Sequence, residues 1–158
     1  MSASLETIHS SGSMLTELLL LRQGAEYFAF VLTSAMEAME LPQLTPIPQA
    51  PAMLLGMLTD RGTAIPVFAG SHMLGVHGHR AGDEVLVLVR DGERQVGLVV
   101  DEVEDVIMAD LTAMQQPIEG MRAGGVVRGV VQSRNRLVAV LDARAIVRMG
   151  ARALPELA

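Results

Sequence analysis

The chain has no cysteine, no lysine and no tryptophan, and its only aromatic residues are Tyr27, Phe28, Phe30 and Phe68. Without cysteine there is neither a disulfide framework nor a thiolate metal site. Without lysine there is no Schiff-base nucleophile and no phosphate-gripping lysine of the P-loop kind. Apolar runs are short, as in Leu18–Leu21 and Val85–Val89, far below the roughly 20 residues of a membrane-spanning helix. Residues 1–13 are small and polar and lack a basic start followed by an apolar stretch, so they read as a flexible tail and not a secretion signal. Together these absences place the protein in the cytoplasm. All basic residues are arginine, the net charge is −6 and stacking rings are few, which argues against nucleic-acid binding.

What the 158 residues do contain is apolar material: half of them are hydrophobic, enough for the core of a single domain. Its distribution is that of strands. Leu15–Arg22 and Glu26–Leu32 flank Gln23-Gly24-Ala25, Glu84–Arg90 and Glu93–Val100 flank Asp91-Gly92, and Val126–Gln132 and Arg136–Leu141 flank Ser133-Arg134-Asn135. Each reads as a hairpin, Asp-Gly being the strongest signal because both residues tolerate positive φ. Thr63–Phe68 adds a strand in which Pro66 implies an edge or a bulge. Helix formers fill Ser34–Glu40, with Thr33 or Ser34 as cap and Pro42 beyond, and Asp142–Met149 follows with Asp142 as N-cap and Gly150 as terminator.

Roughly ten strands and two or three short helices predict an all-β barrel or sandwich. The pattern argues against a parallel α/β fold, because no 10–15-residue helix separates the strands. Val85–Val89 and Leu137–Leu141 are apolar at every position, the pattern of strands covered on both faces. In a chain this small, that predicts two sheet units packed together: one domain of two lobes over residues 14–150, flanked by tails at 1–13 and 151–158.

Candidates for chemistry are few. His77 and His79, with His72 nearby, supply at most part of a tetrahedral metal site and read as solvated loop residues. Asp101-Glu102-Val103-Glu104-Asp105 lacks the oxygen spacing of a calcium loop and reads as a solvated or partner-facing acidic edge. Ser71-His72 has no nucleophile elbow around it, and Gly120–Gly125 lacks the Lys-Ser/Thr of a phosphate loop and reads as a mobile connection. The expectation is no cofactor, no metal and no catalysis. Met36 and Met39, three apart on the expected short helix beside Ala35 and Ala38, suggest an adaptable docking surface.

Read in order, the landmarks resemble the CheW-like domain family. They are the first hairpin, Ala35-Met36-Glu37-Ala38, the proline-rich Leu44–Pro51, and Gly56-Met-Leu-Thr-Asp-Arg-Gly62 in place of the family's Gly-x-x-Asn-Leu-Arg-Gly. Ile65-Pro66-Val67, Gly97-Leu-Val-Val-Asp101-Glu-Val-Glu-Asp-Val106, Gly129 and Arg136–Asp142 complete the series, which spans about Leu15 to Met149.

The resemblance implies two packed five-stranded SH3-like β-barrels and an adaptor that bridges chemoreceptor tips to the histidine kinase CheA. Carried over by position, Glu37 and its neighbours Met36 and Met39 would face a partner, as would Arg61 with Asp60 beside it. Gly56, Gly62, Gly97 and Gly129 would serve backbone geometry. Three departures stand out: Thr59-Asp60 replaces Asn-Leu, Ala69-Gly70-Ser71 replaces Asp-Leu-Arg, and Ala35 replaces a valine. They point to a divergent array, such as one controlling type IV pili. Two other readings remain open: an interaction module of the same fold acting on a kinase outside chemotaxis, and a small metal-dependent β-barrel protein using His72, His77 and His79.

Overall fold

The computed structural model describes residues 15–78, 83–117 and 124–154. Among them are ten strands: β1 (Leu15–Gln23), β2 (Glu26–Val31), β3 (Ala35–Glu40), β4 (Leu54–Asp60), β5 (Thr63–Ala69), β6 (Val85–Asp91), β7 (Arg94–Val100), β8 (Glu102–Asp110), β9 (Val127–Ser133) and β10 (Arg136–Leu141). Two helices accompany them, α1 (Gly70–Leu74) and α2 (Ala143–Ala153), with single 3-10 turns at Leu32–Ser34, Leu111–Ala113 and Gly124–Val126. The strands form two five-stranded sheets, ordered β8-β1-β2-β10-β9 and β3-β6-β7-β5-β4. The chain leaves the first sheet after β2, builds the whole of the second, and returns with β8.

Each sheet encloses its own core, which is what makes it a barrel. Leu18, Leu20, Ala29, Ile107, Ala109, Val131, Val138 and Val140 form one cluster, drawn from all five strands of the first sheet. Ile65, Val67, Leu86, Leu88 and Val99, with Met39 and Leu58 against them, do the same for the second. A third and larger cluster lies between the lobes and includes Leu21, Phe28, Phe30, Phe68, Val87, Val89, Leu98, Val100, Ala139, Leu141 and Ile146. The doubly apolar strands follow directly. Leu86 and Leu88 point into their barrel while Val87 and Val89 point into the interlobe core, so the period-2 alternation is present but both faces are apolar. In β10, Val138–Leu141 are divided in the same way between barrel and interlobe core, but Leu137 is exposed, so that strand is covered over less of its length than expected.

The two lobes repeat one plan. In both, an antiparallel hairpin (β1-β2 or β6-β7) pairs in parallel with the second strand of another hairpin (β9-β10 or β4-β5). All four hairpins have two-residue loops. Gly24 and Gly92 take positive φ at the first loop position, the type II′ pattern, while Arg61-Gly62 and Arg134-Asn135 take positive φ at both, the type I′ pattern. The matching hairpins thus share a turn type. Asp91 ends its strand opposite Arg94 and leaves Gly92-Glu93 as the loop, so the expected Asp-Gly turn is shifted by one residue.

The main departure from sequence expectation is Ser34–Glu40, which is not a helix. Ala35–Glu40 is β3, paired with β6 from Ala35↔Val89 to Glu40↔Val85, with a bulge between Ala35 and Glu37. Alanine, methionine and glutamate favour helix by only tenths of a kcal/mol per residue. Here the open edge of β6 and the burial of Met39 in the lobe core decide the conformation. Pro66 lies on an interior strand, not an edge, but parallel pairing with β7 begins only at Val67, so the missing N–H falls outside that ladder.

Asp142 caps α2 as expected, its Oδ1 accepting from the Ala145 N–H at 3.2 Å. Gly150 does not end the helix, which continues to Ala153. A Cβ at Gly150 would lie 2.8 Å from the Phe68 ring, so the glycine lets α2 cross close over that ring. The helix stops before the Leu154-Pro155 step, where αR is disfavoured. The expected tail 1–13, residues 155–158 of the expected C-terminal tail, His79, and most of the 120–125 connection lie outside the described residues.

Candidate docking site

The residues expected to face a partner fall on the second lobe. Met36 stands at the bulge of β3, Glu37 is exposed, and Met39 is half-buried against the lobe core. They therefore sit on an edge strand, not on a helix, and the proposed methionine pair does not share a helical face. Arg61 projects from the β4-β5 loop with φ +52° and is exposed. Neither Asp60 nor Arg61 makes a side-chain hydrogen bond or ion pair among the described residues, so Asp60 does not tie up the guanidinium. β3 and β4 are the two outer strands of their sheet, with β6, β7 and β5 between them, so sheet pairing does not bring Glu37 and Arg61 together. Gly62 completes the positive-φ pair of the Arg61 loop, and Gly56 also has positive φ. At Gly97 a Cβ would meet Leu86 and Val67 side chains, and at Gly129 the Gln115 carbonyl at 2.5 Å, so both permit close approach.

A second surface lies on the first lobe. On β1 and β8, Leu18, Leu20, Ile107 and Ala109 point inward, which turns Leu15, Leu19, Val106 and Met108 outward. Leu19 stands opposite Val106, Glu17 opposite Met108 and Leu15 opposite Asp110. Leu15, Val106 and Met108 keep 48%, 44% and 53% of their surface in solvent. They form an apolar strip across the outer faces of β1 and the edge strand β8, interrupted by Glu17 and bounded by Asp110. Sequence reasoning missed it, because Val106-Ile107-Met108-Ala109 reads like a strand covered on both faces.

The acidic stretch that begins β8 is not a free edge. Arg22 donates from Nη2 to Glu102 Oε1 at 2.8 Å and from Nη1 to the Gly24 carbonyl at 2.9 Å, with Asp101 at 3.8 Å and Glu104 at 3.5 Å. Glu104 also meets Arg136 at 3.8 Å, and the Arg136 guanidinium stacks 4.2 Å above the Tyr27 ring. The Arg22 guanidinium is held above its ordinary pKa chiefly by the hydrogen bond to Glu102, with Asp101 and Glu104 adding and desolvation opposing. Asp101 Oδ2 accepts from the Gly24 N–H at 2.8 Å, while Gln23, almost fully buried, takes the Asp101 N–H at 3.0 Å and donates to the Val76 carbonyl at 3.2 Å. This network buckles the β1-β2 turn to the β7-β8 crossing and to the loop after α1.

Asp101→Ala removes a nearly buried acceptor and leaves Gly24 N–H unpartnered. It is expected to lower unfolding free energy by about 2–3 kcal/mol in equilibrium urea denaturation.

Ser71 Oγ and His72 Nδ1 do approach each other, at 3.4 Å, although neighbours in sequence rarely do. The contact is exposed and at the limit of a hydrogen bond, and no described carboxylate orients the ring, so the parts of a triad are not assembled. No group of three or more metal-ligating side chains occurs among the described residues. No helix there is long and apolar enough to cross a membrane.

Residues 17–151 match the CheW-like domain family. The chain is similar to the chemotaxis protein CheW of Rhizobium meliloti (strain 1021), 28% identical over 132 residues that cover 80% of this chain and 83% of that one. It is also similar to the chemotaxis protein CheW of Bacillus subtilis (strain 168), 26% identical over 127 residues, covering 78% and 81%. Among solved structures, the scaffolding protein TtCheW from Thermoanaerobacter tengcongensis superposes with a TM-score of 0.74 at 20% identity, over 80% of this chain and 84% of that chain.

Proposed function

The chain belongs to the CheW-like domain family, that of chemotaxis coupling adaptors, and from that premise we propose that it bridges chemoreceptor tips to the histidine kinase CheA in the cytoplasm without catalysing a reaction. A bridge needs two separate surfaces. The observation that carries this reading is the exposed apolar strip of Leu15, Val106 and Met108 on one lobe, set apart from the exposed Arg61 and Glu37 on the other. Apolar side chains left in water at the edge of the sheet supply the burial that a stable contact requires. Arginine supplies orientation, because its planar fork pairs carboxylates while its stem covers apolar surface. In this reading the strip takes the receptor tip and the Arg61 loop takes the kinase.

Arg61→Ala is expected to weaken CheA binding by about 1–3 kcal/mol in calorimetry and to leave the melting temperature in place, since the side chain is exposed and unpaired among the described residues. Glu37→Arg is expected to weaken docking with an effect that shrinks as salt rises. A melting temperature that falls with both affinities intact would assign Arg61 to the fold instead. Co-sedimentation of the protein with receptor membranes and CheA tests the reading as a whole. Recovery with neither partner would overturn it.

A further inference from the structure

We propose that Met108 is a reversible oxidation site, and that its sulfoxide, formed by hydrogen peroxide, closes the strip on β1 and β8 to the receptor tip. The inference rests on the adaptor reading, which makes that strip a docking surface, and adds a chemical control to it.

The chain has eleven methionines and no cysteine, so thioethers are its only sulfur and no thiol of its own consumes peroxide first. Among the methionines whose side chains are described, Met108 alone is exposed, with 53% of its surface in solvent. The others are withdrawn from water. Met73 is buried, Met39 packs against the core of the second lobe, Met114 against that of the first, and Met53 and Met149 against the interlobe cluster. The place of Met108 in β8 also separates its chemistry from the fold. Ile107 and Ala109 anchor the strand in the lobe core from the opposite face, so a change at the sulfur leaves that packing untouched.

In the step itself, a lone pair of the Met108 sulfur attacks one oxygen of hydrogen peroxide. The S–O bond forms as the O–O bond breaks, and the departing hydroxide takes the proton of the transferred OH and leaves as water. The thioether is oxidised by two electrons and the peroxide is reduced by two. Thiols of a methionine sulfoxide reductase reverse the change, ending as a disulfide and releasing the oxygen as water. The product places a strong hydrogen-bond acceptor in the strip, beside Val106 and opposite Glu17. The Glu17 carboxylate is itself acceptor-only when ionised, so the two groups cannot satisfy each other. An apolar partner surface laid over them would strip water from the sulfoxide without replacing its hydrogen bonds, which is unfavourable. The free chain keeps that water, so the modification acts on docking and not on stability.

The test treats the full chain with dilute hydrogen peroxide, quenches it with free methionine, and follows each methionine by peptide mass spectrometry. Treated and untreated chains are then titrated against receptor membranes by co-sedimentation. Met108 should oxidise about tenfold faster than Met39, Met73 and Met114. Receptor affinity should fall about tenfold with the melting temperature unchanged, and the reductase should restore it. Met108→Leu, compared with its own untreated binding, should lose nothing on treatment. Oxidation of Met108 no faster than of the withdrawn methionines overturns the site. A loss that persists in Met108→Leu overturns the proposal by placing the effect at another methionine, and a lowered melting temperature would assign it to the fold. Unchanged affinity after Met108 is oxidised, with untreated binding intact, overturns the control and leaves the adaptor reading standing. An untreated chain that fails to sediment with receptor membranes refutes the docking reading instead, and the order of oxidation still decides whether Met108 is the modification site.

Discussion

Phe68→Ala should lower the unfolding free energy by about 3–5 kcal/mol, the range for deleting a fully buried aromatic side chain. Phe68 belongs to the cluster shared by the two lobes and α2, so the cavity would open where the lobes meet and not inside either barrel. Gly150 makes the prediction sharper. A Cβ there would sit 2.8 Å from one ring carbon of Phe68 and 3.2 Å from the next, against a ring that has little room to turn. Gly150→Ala alone should therefore destabilise the protein, even though alanine is favoured over glycine in a helix by about 1 kcal/mol. In the Phe68→Ala background the same methyl enters vacated space and the helix preference is recovered, so the substitution should become stabilising. Urea denaturation of the four proteins measures the coupling. Additive effects would mean that α2 does not rest on Phe68.

Such packing was legible in the sequence only in part, and the reason is physical. Val85–Val89 announces a strand with two covered faces, because its residues must alternate between two directions and both directions are apolar. That argument needs only the period of a strand, and it leads to two lobes. Three of the four hairpins were equally legible, since Gly24, Gly92 and Asn135 fall at loop positions with positive φ, whereas the β4-β5 hairpin was not, only Thr63–Phe68 reading as a strand. By contrast, Ala35–Glu40 is an edge strand whose conformation is set by the open side of β6, encoded some fifty residues away. Local propensity pointed the wrong way. The Arg22 network has the same character: Arg22 and Glu102 are 80 residues apart in the chain, and nothing near either one announces the other. The acidic run alone suggested a free edge.

The candidate site was less legible than the fold. Arg61 and Asp60 could be placed on a turn, but whether they pair depends on side-chain geometry that spacing does not determine. The strip on β1 and β8 was invisible for a different reason. Val106-Ile107-Met108-Ala109 and Leu86-Val87-Leu88-Val89 are alike in sequence, yet the first lobe and α2 cover the outer face of β6, while Val106 and Met108 on the outer face of β8 stay in water. Which apolar face stays uncovered is a property of how the lobes pack.

That uncovered face carries the largest expected effect on binding. Val106→Glu/Met108→Glu places two carboxylates in the middle of the strip, beside Glu17, which stands opposite position 108. Both side chains already lie about half in solvent, and the opposite face of β8 holds Ile107 and Ala109 in the lobe core, so the fold should tolerate the change with little shift in melting temperature. Binding should not tolerate it. Docking would require burying two charges without partners in place of two apolar groups, losing the apolar contact and adding desolvation, together about 3–5 kcal/mol or at least a hundredfold in affinity for receptor tips. Because the loss comes from desolvation more than from long-range repulsion, high salt should restore little of it, unlike the Glu37→Arg effect. Val106→Ala/Met108→Ala should give an intermediate loss, from contact area alone. The Arg61 loop lies on the other lobe, so CheA affinity of the doubly charged variant should stay near that of the unaltered chain. If sedimentation with receptor membranes is unchanged in Val106→Glu/Met108→Glu while CheA binding is lost, the two surfaces have been assigned to the wrong partners. If neither changes, the strip is not a docking surface.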